Sequence, residues 1–575
     1  MDNQRTRTYA RRRPLRRAAR TQPRDDMLRS LNSSPRRWWR PGWPFGFVLL
    51  LALALRVYGL GFGLPAVDDS DELMFQLGAM KMLGGGTLNP GWFGHPAITT
   101  MYALSITDIA VYLVSHWLGW FASPQAFIAA VYLNPTWAIL PGRCVMVLFS
   151  LGTVWQAGRF AERLWGRDAG LTAALLLAVS PVFVLWSQVV RSDIVGCFFM
   201  VLTLSAAHRL AHRGNWRDYL LAALWTACAV ASKWPFAISM LAVAGAVMFN
   251  AGIRHNSLAA TCRALACYAG LTCVFLVLIS PYLVLDFSTV VRDVAAEGQL
   301  RHLGATGGGA LWNAQWYLGG PLLKAFGVAG AALSIAGLVL LGKDRLALAI
   351  LAPPLVGFFI LLIFQNMVWE RWALPIIVLL SLICARPLAW LSETVHERGS
   401  RRYAGTVAAA LLVLMAVQPS IATVEQSRAR NNDTRQRAAA WAISHFRAGS
   451  TVMVEHFAFD LLPYPWTFYF PMGDLGCIDA NEWLRGKVAY ARIEAARAGR
   501  SNVDYGTVAP AAAATCNTDY AILTQYDRYA AERDRFPAEF RAYQRLLERG
   551  RIVATIAPVP GVSSGPVVRI VAFKE

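Results

Sequence analysis

Asp68-Asp69-Ser70-Asp71-Glu72 comes a short linker after the first long apolar run of the chain, residues 45 to 63. Four carboxylates in five residues cannot lie in a lipid-buried helix, since an Asp at the bilayer centre costs roughly 2.5 to 3.5 kcal/mol even on the insertion scale. The stretch therefore sits just outside a membrane, where the first span delivers it. Composition points the same way: of 575 residues, 56% are hydrophobic and 16% charged, which is outside the range of ordinary soluble domains. The chain reads as a polytopic α-helical membrane protein.

Working outward, residues 1 to 43 hold thirteen Arg and three Asp, half of the chain's net charge of +20, with no apolar period. Such a segment is expected to be a disordered cytoplasmic tail that keeps the N-terminus inside, with no nucleic-acid role. The positive region is too long for a cleaved signal peptide, and no cleavage site follows the apolar run, so the first span is retained.

Twelve apolar runs follow one another: 45 to 63, 97 to 118, 138 to 158, 168 to 186, 193 to 209, 218 to 232, 234 to 251, 262 to 282, 319 to 341, 345 to 364, 372 to 391 and 403 to 419. Charge decides which of them cross. The basic loops are Arg159/Arg163/Arg167, Arg209/Arg213/Arg217, Arg254/Arg263, Lys343/Arg345 and Arg398/Arg401/Arg402. If every run crossed, all five would fall outside, against the positive-inside rule. If 97 to 118 lies in the interface as a juxtamembrane helix, all five fall inside. The expectation is therefore about eleven transmembrane helices over 44 to 420, with a first external loop at 64 to 137.

After residue 420 the composition becomes that of a soluble domain. Strand-like runs at Thr451 to Glu455, Asp519 to Thr524, Arg551 to Ala557 and Val567 to Phe573, with helix-like runs near 433 to 447 and 535 to 548, predict a mixed α/β domain over 421 to 575, outside the membrane. Seven of the nine cysteines lie in or beside apolar runs without ligand spacing. The other two, Cys477 and Cys516, fall in this external segment, where a disulfide can persist.

On the same side as the acids the count places Arg143, Arg191, Asp193, Lys233, Arg292, Arg301, His302, Lys324 and Arg371, most of them near span ends. Cations gathered opposite acids at a lipid interface suit a phosphorylated lipid headgroup. Arg56, about ten residues into the first span, either snorkels to the outer headgroups or points inward to the same phosphate.

The order of these features carries a resemblance. The first span, Asp71-Glu72, Gly-Thr-Leu-Asn-Pro-Gly-Trp-Phe-Gly-His-Pro ending at Pro96, Pro-Gly-Arg at Arg143, Ser-x3-Arg-x-Asp ending at Asp193, Ser-Lys at Lys233, Ser-Pro-Tyr at Ser280 to Tyr282 and Arg-Trp-Ala-Leu-Pro from Arg371 follow one another. Over roughly 40 to 420 this resembles the polyprenyl-phosphate-sugar-dependent membrane glycosyltransferases of the C-type fold. It is most similar to the protein O-mannosyltransferase and aminoarabinose transferase branch. The resemblance implies that Asp71, with Glu72 beside it, is the catalytic or substrate-orienting acid, with Asp68 and Asp69 as rivals. Read from position and chemistry, Arg56, His95, Arg143, Arg191, Asp193, Lys233, His302 and Arg371 are the candidate substrate-binding residues.

The chemistry fits these residue types. Moving a sugar from a lipid phosphate to an acceptor hydroxyl needs a base near the acceptor. Departure of the phosphate needs positive charge, from Arg and Lys or from a divalent cation such as Mg²⁺ or Mn²⁺ on carboxylates like Glu72 and Asp193. The activity that the resemblance implies is an inverting hexosyl or pentosyl transfer from a polyprenyl-phosphate sugar to a lipid, glycan or protein acceptor. It would take place on the outer face of a bacterial inner membrane, with the C-terminal domain periplasmic. A flippase of polyprenyl-linked sugars is the rival reading, but its acids would lie within spans. A non-catalytic envelope assembly protein is the other rival.

Overall fold

The computed structural model describes residues 42 to 573 except 299, 398 to 400, 456 to 459, 462 and 485 to 502. The basic tail lies outside the described residues, as does Arg398. Trp43–Val57 (α1) is followed by Ser70–Gly85 (α2), Ile98–Trp117 (α3), Pro124–Leu133 (α4), Thr136–Trp165 (α5), Arg167–Val179 (α6), Pro181–Ser187 (α7), Ser192–Arg213 (α8) and Trp216–Ser232 (α9). Further apolar helices follow up to Arg401–Arg430. Among the described residues eight helices are long and apolar enough to cross a membrane, or nine with the bent pair α6 and α7 as one span.

The bend between α6 and α7 is 63°. Pro181 causes it, because its ring removes an amide and drives Ser180 out of the helical region, to ψ 117°. The break frees carbonyls in an apolar interior, where each must find a donor. Arg56 provides for two: its Nη2 donates to Leu177 O and its Nη1 to Ala178 O, both at 3.0 Å, while its Nε donates to Ser150 Oγ at 2.7 Å. Thr423 Oγ1 donates to Val179 O at 2.7 Å. Arg56 is thus fully buried and neither snorkels nor reaches a headgroup, which corrects the expectation that it binds substrate.

Helix α3 is long and apolar enough to cross a membrane, and its contacts join it to three other helices. At its start the amide of Ala97 donates to Ser232 O, at the C-terminus of α9. In its middle Asp108 accepts from Gln76 of α2. Just past its end Trp120 and Phe121 pack on Trp137, at the start of α5. The start of α5 lies in turn beside the end of α1, since Arg143 donates to Leu60 O and Phe62 O.

The last bundle helix, Arg401–Arg430, runs ten residues past the expected boundary at 420. Its polar final turns face protein: Gln426 donates to Pro181 O and Arg430 to Leu185 O. The C-terminal domain then forms a six-stranded sheet from Thr451–Val454 (β1), Thr467–Pro471 (β2), Cys477–Asp479 (β3), Tyr520–Leu523 (β4), Arg551–Ile556 (β5) and Val568–Ala572 (β6), in the order β3-β2-β1-β4-β6-β5. β1 is parallel to β2 and β4, and the outer pairings are antiparallel.

Alternation along β1 feeds two cores, as a two-residue period requires. Val452 and Val454 join Ala438, Ala439 and Ala442 of the helix Thr434–His445. Met453 joins Tyr543 and Leu546 of the helix Pro537–Glu548. The β2–β3 hairpin is too short and irregular to show in the pattern of residues. Cys477 on β3 is disulfide-bonded to Cys516, with Cα atoms 4.9 Å apart.

Candidate functional site

The Asp68 to Glu72 stretch becomes a linker and the first turn of α2, and its four acids have four different fates. Asp69 caps the helix, its Oδ1 accepting from the amide of Asp71 at 3.1 Å. Glu72 points into the bundle and is fully buried. Arg143 meets it as a fork, Nε to Oε1 at 2.9 Å and Nη2 to Oε2 at 2.6 Å, and the amide of Val190 donates to Oε1 at 2.9 Å. With Arg143 Nη1 on Leu60 O and Phe62 O, this buried pair ties α1, α2, α5 and the 188 to 191 turn together. Glu72 is therefore no catalytic or metal-binding acid and Arg143 no phosphate ligand, because both are spent on the fold.

Asp68 is buried against the C-terminal domain, with Gln436 Nε2 on its Oδ1 at 3.0 Å and Arg435 3.6 Å from its Oδ2. Asp71 is the open one, its side chain 38% exposed against 4% for Asp68. Arg191 grips Asp71 Oδ2 at 2.6 Å and Asp69 Oδ1 at 2.9 Å with the same Nη2. Arg371 Nη2 stands 4.0 Å from Asp71 Oδ2. Burial alone would raise the Asp71 carboxyl, but Arg191 and then Arg371 outweigh it and hold it well below the usual carboxylate range.

Arg371 is buried, and its Nε has no hydrogen-bond partner. Aromatic faces hold it instead: Trp369 lies 4.3 Å from its guanidinium and Trp186 5.8 Å away, with Trp186 also 5.4 Å from Arg191. The indole of Trp186 is fixed by donation to Glu370 Oε2 at 3.1 Å, and Lys324 holds the other oxygen at 2.8 Å. The His302 ring stands edge-on to Trp369, with centroids 5.0 Å apart. Burial lowers the pKa of His302, so its ring is neutral at pH 7.

Lys233 and Asp193 are both buried and pair at 2.7 Å. Asp193 is thus the partner of Lys233, and each is engaged by the other. His95 Nε2 lies 3.5 Å from Glu297 Oε2. The loop carrying His95 is fastened to residues 282 to 293: Asn89 donates to Asp286, the amide of Phe93 to Asp293, and Thr87 to the Tyr282 hydroxyl.

The structure thus gathers Asp71, Arg191, Arg371, His95 and His302 from the candidate set, leaves Lys233 and Asp193 beside them as a closed pair, and removes Arg56, Arg143 and Glu72. Arg301 turns away to the C-terminal domain. No group of three or more His, Cys, Asp or Glu able to hold a metal occurs among the described residues, and Glu72 and Asp193 are each taken by a cation of their own. Glu297, Trp186 and Glu370 join the site without having been singled out. Only the acidic character of Glu297 and Glu370 in external loops could have marked them.

The profile of the family described as dolichyl-phosphate-mannose-protein mannosyltransferase matches residues 102–284. The sequence finds no significant match among curated proteins. Among solved structures, ArnT from Cupriavidus metallidurans in the apo state superposes with a TM-score of 0.53 at 11% identity, covering 93% of this chain and 99% of that one. ArnT bound to undecaprenyl phosphate superposes at 0.50 with 12% identity, over 92% and 98%. The oligosaccharyltransferase of Archaeoglobus fulgidus is similar at 0.48 and 12% identity, over 94% and 75%. The chain shares the fold of ArnT from Cupriavidus metallidurans.

Proposed function

We propose that this chain is an inverting membrane glycosyltransferase that moves a sugar from a polyprenyl-phosphate donor to an acceptor hydroxyl at the outer face of a bacterial inner membrane. The mannosyltransferase profile and the fold shared with ArnT support the donor class. The observation that carries the reading is the pairing of a half-open, ionised Asp71 with Arg371, a buried cation that keeps an unpartnered donor.

In this reading Arg371, backed by Arg191 and by the neutral His302, receives the donor phosphate. Asp71 accepts the hydrogen bond of the acceptor hydroxyl. The acceptor oxygen attacks the anomeric carbon from the side opposite the phosphate, the bond from that carbon to the phosphate oxygen breaks, and its electron pair leaves on the lipid phosphate. The acceptor proton passes to Asp71. A carboxylate held by Arg191 is a weak base, so its role is chiefly to orient, with proton transfer late. When the donor phosphate draws the looser guanidinium of Arg371, the basicity of Asp71 rises, which couples donor arrival to base strength.

Purified full-length protein in nanodiscs, given a panel of polyprenyl-phosphate sugars, should release lipid phosphate in the presence of outer-envelope acceptors. Sugar donor that accumulates in cells lacking the chain would name the sugar. If no lipid-linked donor is consumed, while undecaprenyl-linked sugars cross vesicle membranes faster when the chain is present, the flippase reading replaces this one.

A further inference from the structure

Residues 301 to 307 carry a loop of the helix bundle into the core of the C-terminal domain. Leu303 is buried in the same cluster as Tyr529, Phe536 and Tyr543. Arg301 lies over the Phe536 ring at 5.0 Å and donates to Arg535 O at 2.6 Å. The amide of Gly304 donates to Glu532 Oε1 at 2.7 Å, and Arg535 Nη1 donates to Thr306 O at 3.3 Å.

The other side of the same loop pairs with the strand leading into the site. The amide of Val368 donates to Ala305 O and that of Gly307 to Asn366 O, each at 2.8 Å, with Thr306 opposite Met367. One residue beyond Val368 begins Trp369-Glu370-Arg371. A second grip acts on the acids, where Arg435 Nη1 donates to Asp68 O at 2.8 Å, three residues before Asp71.

The tract around Leu303 contains Gly304, Gly307, Gly308 and Gly309. Glycine loses more conformational freedom on ordering than any other residue, so this tract does not hold a fixed shape unaided. A loop that served only as a tether would not need to bury a leucine in another domain.

We propose that Leu303 is a positioning residue: seated in the C-terminal domain, it fixes residues 305 to 307, and through them the stance of Trp369 and Arg371, so that the C-terminal domain sets the anion affinity of the site. This rests on the reading of Arg371 as the phosphate ligand, but its mechanical half stands alone.

The test uses full-length protein in nanodiscs with undecaprenyl phosphate as the probe, and hydrogen exchange at the amides of Gly307 and Val368. Leu303→Ala should speed exchange at both amides and weaken binding, each about tenfold, and Leu303→Ile should restore both. Phe468→Ala weakens the domain from its opposite core and should leave Gly307 and Val368 protected. Unchanged exchange in Leu303→Ala, or the same loss in Phe468→Ala, overturns the proposal. If exchange rises while even the wild type fails to bind the probe, the strap stands and the phosphate reading fails. If Leu303→Ala does not insert, Arg301→Gln, at an exposed position of the same strap, gives the same readings.

Discussion

Asp71 and Asp68 are three residues apart and chemically identical, yet they make opposite predictions. Asp71→Asn should lower turnover by about a hundred- to ten-thousandfold, the usual contribution of a positioned acid or base, while the protein inserts and unfolds as before. Asp68→Asn keeps the shape of a buried hydrogen-bonding group and should cost far less. Transfer assays on the two variants decide, and a silent Asp71→Asn would remove Asp71 from the mechanism. The sequence showed where acids and cations gather but not which were spent on the fold. Arg56, Arg143, Arg191 and Arg371 are all arginines in or beside apolar runs. Only the partners, carbonyls freed by Pro181 for Arg56 and a buried Glu72 for Arg143, separate the structural pair from the site pair.

A second residue-scale prediction concerns Asp504. Burial first, and the nearby Glu455 second, push its carboxyl up to about 8. Its Oδ2 accepts from the Tyr529 hydroxyl at 2.9 Å, and Glu455 is itself bonded to Tyr543. An unfolded Asp loses its proton near pH 4, so between about pH 4 and 8 the folded domain holds a proton the unfolded chain has released. The contribution of Asp504 to the stability of the C-terminal domain should therefore be fully present below about pH 4 and be lost as pH rises through about 8. Asp504→Asn should flatten that slope in thermal unfolding followed across this range, and an unaltered slope would show that another group carries it.

At the scale of elements, hydropathy located the apolar segments, because lipid acts on local sequence. Three features were not local. The division of 168 to 186 at Ser180 is written in Pro181, but the partners of its freed carbonyls come from α1 and from the last bundle helix. The extension of that helix to Arg430 hides behind polar residues that face protein instead of water. The β2–β3 hairpin exists through pairing with β1. If α3 lies in the interface, as the positive-inside count expects, the Arg159 to Arg167 loop is cytoplasmic. A cysteine at Arg163, introduced into a variant without accessible thiols, should stay unlabelled by an impermeant thiol reagent added from outside and react once the membrane is opened. Labelling of intact cells would reverse the topology.

At the scale of the whole molecule, the Cys477–Cys516 bond closes a loop of about forty residues, worth roughly 4 kcal/mol on the chain-entropy estimate. Non-reducing peptide mapping should recover the linked pair, and Cys477→Ser with Cys516→Ser should lower the unfolding temperature of the C-terminal domain. Two free thiols in protein isolated under thiol-blocking conditions would refute the bond, and with it the oxidising surroundings assigned to this domain.

The seat of Leu303 also has a consequence in time. It is built from residues 453 to 571, all of which leave the ribosome after every helix of the bundle. β6, the last strand made, enters between β4 and β5, so the domain core closes only when the final stretch arrives. Until then the glycine-rich strap keeps its pairing with residues 366 to 368 but lacks its seat in the domain core. If Leu303 positions Trp369 and Arg371 as proposed, a nascent chain can be fully inserted before its anion site has a fixed stance, and completion of the sheet is the step that supplies it.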